Sequence, residues 1–196
     1  MTPEAAALAA DRRWQRFTAR DYLCPCCGQP STGLYDLGFD HPDPWPHGSR
    51  AAAGEDTLVV GADRLGTDLC TFDGGFYIRC TLPLPIRGSD QVFAFGPWAS
   101  VSDASFARYV AAWRAEDYSD FPGCFAWLAN ALPGIASEAS VPCNLETGDG
   151  TARPQLFAQS ASQGLAGLQR EGISFDRLLD IYAAAGNDLR PHLGGA

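Results

Sequence analysis

Residues 68–86 read "DLCTFDGGFYIRCTLPLPI", and this run limits the fold more than any other part of the chain. It is rich in β-branched and aromatic residues. Asp73-Gly74, with Gly75 after it, breaks it where a hairpin turn belongs. Phe76, Ile78 and Cys80 share one face by alternation, and Tyr77 and Arg79 share the other. Pro83 and Pro85 cannot donate to a ladder on both sides, so that end of the run belongs at a sheet edge. "DTLVVG" at 56–61 and "QVFAFGPWASV" at 91–101 read as further strands.

Helical signals flank the strands. "TPEAAALAADRRWQRF" opens with Thr2 as cap, Pro3 in the first turn and Glu4 at the positive dipole end. It predicts one helix ending before Asp21. In "SDASFARYVAAWRAE", Ser102 caps and Phe106, Tyr109, Val110 and Trp113 form a buried stripe. "FAWLANALPG" is expected to be a short helix stopped by Pro133 and Gly134. Ser174 caps the last helix, which buries Phe175, Leu178, Leu179 and Tyr182 and ends at Gly186. The expected fold is α+β: an antiparallel sheet packed by helices, with an N-terminal helix and a zinc-knuckle-like turn. We divide the chain into an N-terminal helical segment (1–21), a single α+β domain (22–190) and a C-terminal tail (191–196).

The chemistry concentrates in "YLCPCCGQP" at 22–30. Cys24 and Cys27 form Cys-x-x-Cys with Gly28 just after, the form of a zinc knuckle, and Gly28 permits the positive φ such a turn needs. A redox pair needs a helix start after the cysteines, and "GQPSTG" does not supply one. The metal reading therefore stands ahead of inert turn thiols, and the redox pair comes last. A closed zinc site needs four ligands; Cys70, Cys80, His41 and His47 are the candidates to complete it, Cys70 first, and the expected metal set is Cys24, Cys27, Cys70 and Cys80. His41 and His47 lie in "DHPDPWPHG", expected to be an exposed, flexible loop. Cys124 and Cys143 read as small buried hydrophobes. Trp98, Trp113 and Trp127 read as core anchors, while Trp45 in the Pro-rich loop is harder to bury.

Charge narrows function. With 23 acidic and 14 basic residues the net charge is −9, which repels phosphate backbones and disfavours nucleic acid as partner. It favours a basic protein partner. No run approaches the roughly 20 apolar residues of a membrane span, and "EAAALAA" is too short for a signal sequence. A cytoplasmic location is expected, with cysteines mostly reduced. There is no Gly-rich phosphate loop, Gly-x-Ser-x-Gly elbow or His-Glu-x-x-His helix, so no catalytic residues are assigned.

An ordered set of phrases resembles a bacterial family, the domain of unknown function 2199. They are "CPCCG" at 24–28, the run at 68–86, "FGPWASVSDASFARYVAAW" at 95–113, "GCFAWLANALPG" at 123–134, "RPQL" at 153–156 and "LAGLQREGIS" at 165–174. The resemblance covers residues 22–185 and implies a soluble bacterial domain without an established activity. Relatives often carry a His after the Cys-x-x-Cys-Gly, where this chain has Ser31 and Thr32. They often carry His-Pro where it has Gln163-Gly164, and Gly where it has Cys80. Two functions are expected from different classes. The first is a non-enzymatic interaction domain, immunity- or antitoxin-like, that binds a basic partner and holds an optional structural zinc. The second is a metal- or thiol-dependent enzyme centred on Cys24 and Cys27.

Overall fold

In the computed structural model, Asp73 and Gly74 form the two-residue tip of a hairpin. Their φ values are both positive, 47° and 71°, the mirror-image turn that suits twisted strands. Phe72 faces Gly75 and Leu69 faces Ile78 across it. The structure describes residues 2–19, 21, 23, 28, 33–50, 54, 56–136, 140–148, 152–160 and 163–194. The zinc-knuckle-like turn at Cys24 and Cys27 lies outside them.

Eleven strands and six helices are present among the described residues. The strands are β1 (Leu37–Gly38), β2 (Leu58–Val60), β3 (Asp63–Leu65), β4 (Leu69–Phe72), β5 (Gly75–Arg79), β6 (Leu82–Pro85), β7 (Val92–Gly96), β8 (Trp98–Val101), β9 (Gly123–Leu128), β10 (Pro142–Glu146) and β11 (Gln155–Ala158). Eight of them form one antiparallel sheet in the order β11-β10-β9-β8-β5-β4-β3-β2. A smaller sheet, β1-β7-β6, holds the two prolines of β6 on an edge strand, as their missing N–H groups require. The helices are α1 (Pro3–Ala10), α2 (Arg12–Thr18), α3 (Asp103–Ala115), α4 (Gln163–Glu171), α5 (Phe175–Ala184) and α6 (Arg190–Leu193). The architecture is α+β, as the sequence predicts. No helix among the described residues is long and apolar enough to cross a membrane.

Three elements differ from their sequence reading. The N-terminal helix is two helices, because Asp11 takes an extended backbone and its carboxylate caps the Arg13 N–H of the second (2.8 Å). "QVFAFGPWASV" is not one strand. Pro97 separates β7 from β8, and they belong to different sheets. The Pro97 carbonyl instead accepts from the Cys80 N–H at 2.9 Å. "FAWLANALPG" opens as strand β9. Ala126 is fully buried between the exposed Phe125 and Trp127, which is alternation with period two rather than a helical stripe. Short apolar runs carry both patterns, and pairing on both sides decides for the strand.

Helices cover one face of the large sheet. The α5 cap forms as expected, with Ser174 Oγ accepting from the Arg177 N–H at 3.1 Å. Phe175, Leu178, Leu179 and Tyr182 are buried. Trp14 and Phe17 of α2 meet the Phe175 ring at 5.1 and 5.3 Å. Arg16 Nη1 donates to the carbonyl of buried Leu193 at 2.6 Å. On α3, Tyr109 is buried and Phe106 packs on Phe76 at 5.2 Å. Trp113, one turn further along, stays 44% exposed and is no core anchor.

The outer edge of β11 is closed by one side chain and a short bridge. The Leu156 N–H donates to Thr81 O (2.8 Å), and Pro154 O accepts from the Thr81 N–H (2.9 Å). Gln169 on α4 takes two more groups. Its Oε1 accepts from the Ala158 N–H (2.7 Å) and its Nε2 donates to Leu156 O (2.9 Å). The amide thus copies the pattern of a neighbouring strand.

Candidate functional site

Alternation sorts the central strands into two faces. Ile78, Ala99, Ala126, Cys143, Leu145 and Leu156 point to the helices and are fully buried. Tyr77, Ser100, Trp127 and Pro142 form a cross-strand row on the opposite face. Phe125, Asn144 and Phe157 form the next row.

The loop 39–50 covers part of that opposite face. It is not the exposed loop its composition predicts. Trp45 is only 4% exposed and packs with Leu65, Cys70, Phe72 and Trp98. Its Nε1 donates to Gly48 O at 2.8 Å, satisfying the indole as burial demands. His47 Nε2 sits 2.7 Å from Asp63 Oδ2, and His41 Nδ1 2.8 Å from Pro42 O. Both histidines are held by local partners.

Asn130 and Asp43 pin the loop to the sheet. Asn130 is 5% exposed. Its Oδ1 accepts from the Trp98 N–H (2.8 Å), and its Nδ2 donates to His41 O (3.0 Å) and Asp43 Oδ1 (2.8 Å). Asp43 Oδ2 accepts from the Ala131 N–H at 2.6 Å. Beside this latch lies a cleft of about 390 Å³, lined by Asp43, Tyr77, Ser100, Asn130, Ile135 and Leu165 among others. Its size falls within the range of small-ligand sites.

Beyond the loop the face is open. Phe125 is 49% exposed and Trp127 44%, so Trp127 is not the core anchor its residue type suggests. The two rings meet edge-to-face at 5.1 Å. Ser100 lines both the cleft and the groove beneath these rings, so the two features adjoin at this residue.

The predicted metal set is not brought together in its described part. Cys70 pairs with Tyr77 and packs under Trp45. Cys80 continues the Ile78 face into the main core. The two thiols thus lie on opposite sides of the sheet. Cys24 and Cys27 are outside the described residues, so their relation to either is not part of this geometry. Among the described residues no group of three His, Cys, Asp or Glu side chains is placed to hold a metal ion.

The described thiols are not activated. Burial lifts Cys70 from its ordinary 9.0 to about 12, with Asp63 adding to the effect. Burial likewise raises Cys143 to about 12 and pushes Cys80 and Cys124 up. The unfolded chain therefore sheds these protons at lower pH than the folded one. Their contribution to stability is full below pH 9 and is lost as pH rises from there toward 12. Urea midpoints at pH 8 and pH 10.5 are expected to show that loss. Cys70→Ala, compared with its own neutral-pH value, is expected to reduce the pH-dependent part. An unchanged pH slope in that variant would refute the assignment to Cys70.

Sequence reasoning missed Phe125 and Trp127 as a surface pair and Asp43 and Asn130 as a latch. The i, i+2 spacing of the two aromatics in "CFAWL" is the signal that could have revealed the pair. No curated protein and no solved structure matches the chain. The family model of DUF2199, an uncharacterized protein conserved in bacteria, matches residues 23–173, and the chain belongs to that family.

Proposed function

We propose that the protein is a non-enzymatic interaction domain that receives a basic protein partner on its open sheet face. The observation that carries this reading is the half-exposed Phe125–Trp127 pair on a strand paired on both sides, next to a cleft. Aromatic residues of this kind are the usual energetic centres of interfaces. The net charge of −9 selects a basic partner and speeds its encounter. A narrower form is an immunity- or antitoxin-like protein whose partner is a basic toxin. A structural zinc at Cys24 and Cys27 is compatible with either form, and elemental analysis of protein purified without chelators measures it directly.

The test compares wild type with Phe125→Ser/Trp127→Ser as bait in a bacterial host that encodes the protein. One basic protein is expected to be retained by wild type at low salt, released by high salt and lost by the double variant. If the circular dichroism of the variant is native and both baits retain the same proteins, the surface is not the interface. The toxin form requires in addition that the partner, expressed alone, halts growth and that co-expression restores it.

A further inference from the structure

A cluster of arginines stands at the turn between β3 and β4, apart from the open face. Arg50, Arg79 and Arg153 come from three distant segments and converge on residues 67 and 68. Arg50 Nη1 donates to Thr67 Oγ1 (3.3 Å) and Asp56 O (2.9 Å). Arg79 Nη1 donates to Thr67 O at 3.5 Å, and its backbone N–H to Asp68 O at 2.9 Å. Arg153 Nε donates to Asp68 Oδ1 at 2.6 Å.

Two features make this more than surface pairing. First, Nε of Arg50 and Nε of Arg79 are both buried and have no hydrogen-bond partner among the described residues. Buried donors are rarely left so, and each is free to meet an acceptor. Second, cations crowd together in an acidic chain. Arg79 has its proton affinity lowered by burial first and then by Arg153, with Arg50 adding to it, while Asp68 and Asp40 act the other way. The Arg79 guanidinium also lies against the backbone of Gly38, where a Cβ would stand 2.9 Å from Nη2. The backbone is shaped to seat the group. Arg153 is 40% exposed, which leaves the cluster a mouth to solvent.

We propose that Arg50, Arg79 and Arg153 form an anion site that takes a phosphate group. Among the groups that act on one another here, three guanidiniums stand against the carboxylates of Asp68 and Asp40 and leave net positive charge. A phosphate monoester brings about −1.5 to −2 charges and three acceptor oxygens at neutral pH. Planar guanidinium forks from three directions match that oxygen count better than they match a two-oxygen carboxylate.

The test follows the arginine Nε–Hε NMR signals during titration with inorganic phosphate, sodium chloride holding ionic strength constant. Saturable shifts at Arg50 and Arg79 are expected. Acetate is expected to bind at least tenfold more weakly than phosphate. Arg153→Met, at a partly exposed position, is expected to fold and to bind phosphate at least tenfold more weakly. Arg79→Lys keeps the charge, removes the fork and is expected to weaken binding as well. Phenyl phosphate run in parallel separates a monoester ligand from the free ion, by which of the two binds tighter. The site is overturned if phosphate gives no saturable shift, if chloride alone reproduces the shifts, or if Arg153→Met binds as wild type does. Acetate binding as tightly as phosphate would overturn the phosphate assignment.

Discussion

Asn130→Ala is expected to lower stability by about 3 kcal/mol, because one buried amide serves three partners and its loss strands several of them. The Trp98 N–H is buried and has Asn130 Oδ1 as its acceptor at 2.8 Å. Alanine leaves that donor dry. It also frees His41 O and Asp43 Oδ1, which Nδ2 now ties together. The damage should extend beyond stability, since the same amide holds the loop 39–50, with its buried Trp45, against the sheet. Urea unfolding measures the energetic part, and amide exchange at Trp45 and Ala131 measures the local part. Asn130→Asp keeps the acceptor, loses both donors and sets a carboxylate against Asp43. It is expected to do at least as badly at neutral pH. A cost under about 1 kcal/mol for the alanine variant would mean that water replaces the amide and that the latch is not what holds the loop.

Gly123→Ala is expected to be comparably severe for a different reason. Gly123 has φ +151° and lies opposite Glu146 at the start of β9. A Cβ there would stand 2.2 Å from the Leu145 carbonyl oxygen. That atom belongs to the backbone of the adjacent strand, so no rotamer change relieves the clash. Either β9 and β10 separate at this end or the variant fails to fold. A cost of about 3 kcal/mol corresponds to a drop in Tm of about 10 °C in a chain this size. Gly148→Ala is the control, because nothing lies within 4 Å of its added Cβ. Equal melting temperatures for the two variants would show that the strands yield without penalty.

The parts of this fold that could be read from sequence are those set by local chemistry. Asp73-Gly74 dictates its own turn. Thr2, Ser102 and Ser174 each accept the N–H three residues on, as capping residues should. The apolar stripe of α5 needs no tertiary information either. Misreadings arise where distant partners decide. "FAWLA" becomes a strand because β8 and β10 lie ready on both sides. Pro97 turns one apparent strand into two by sending its halves to different sheets. The loop around Trp45 looked open because its proline content hides the fact that Asp43 and Trp45 have buried partners, Asn130 and Phe72 among them. The site was less legible still. Arg50, Arg79 and Arg153 are 29 and 74 residues apart along the chain, and no spacing rule links them. Asp68, Arg79 and Arg153 do fall inside phrases that carry the family resemblance, which was the available hint.

Gln169 has a consequence for assembly. With its amide laid along β11 and Thr81 beside it, that margin of the large sheet has the Leu156 and Ala158 amides and the Pro154 and Leu156 carbonyls occupied. Among the described residues no strand pairs beyond β2, where Val59 and Val60 are exposed. A sheet that is sealed on one side and free on the other can extend only once. Two copies joined through β2 leave the large sheet with no second open margin. The polar side chain that finishes the fold therefore also removes one of the two margins of the large sheet from strand-to-strand association, and leaves β2 as the margin through which that sheet could extend.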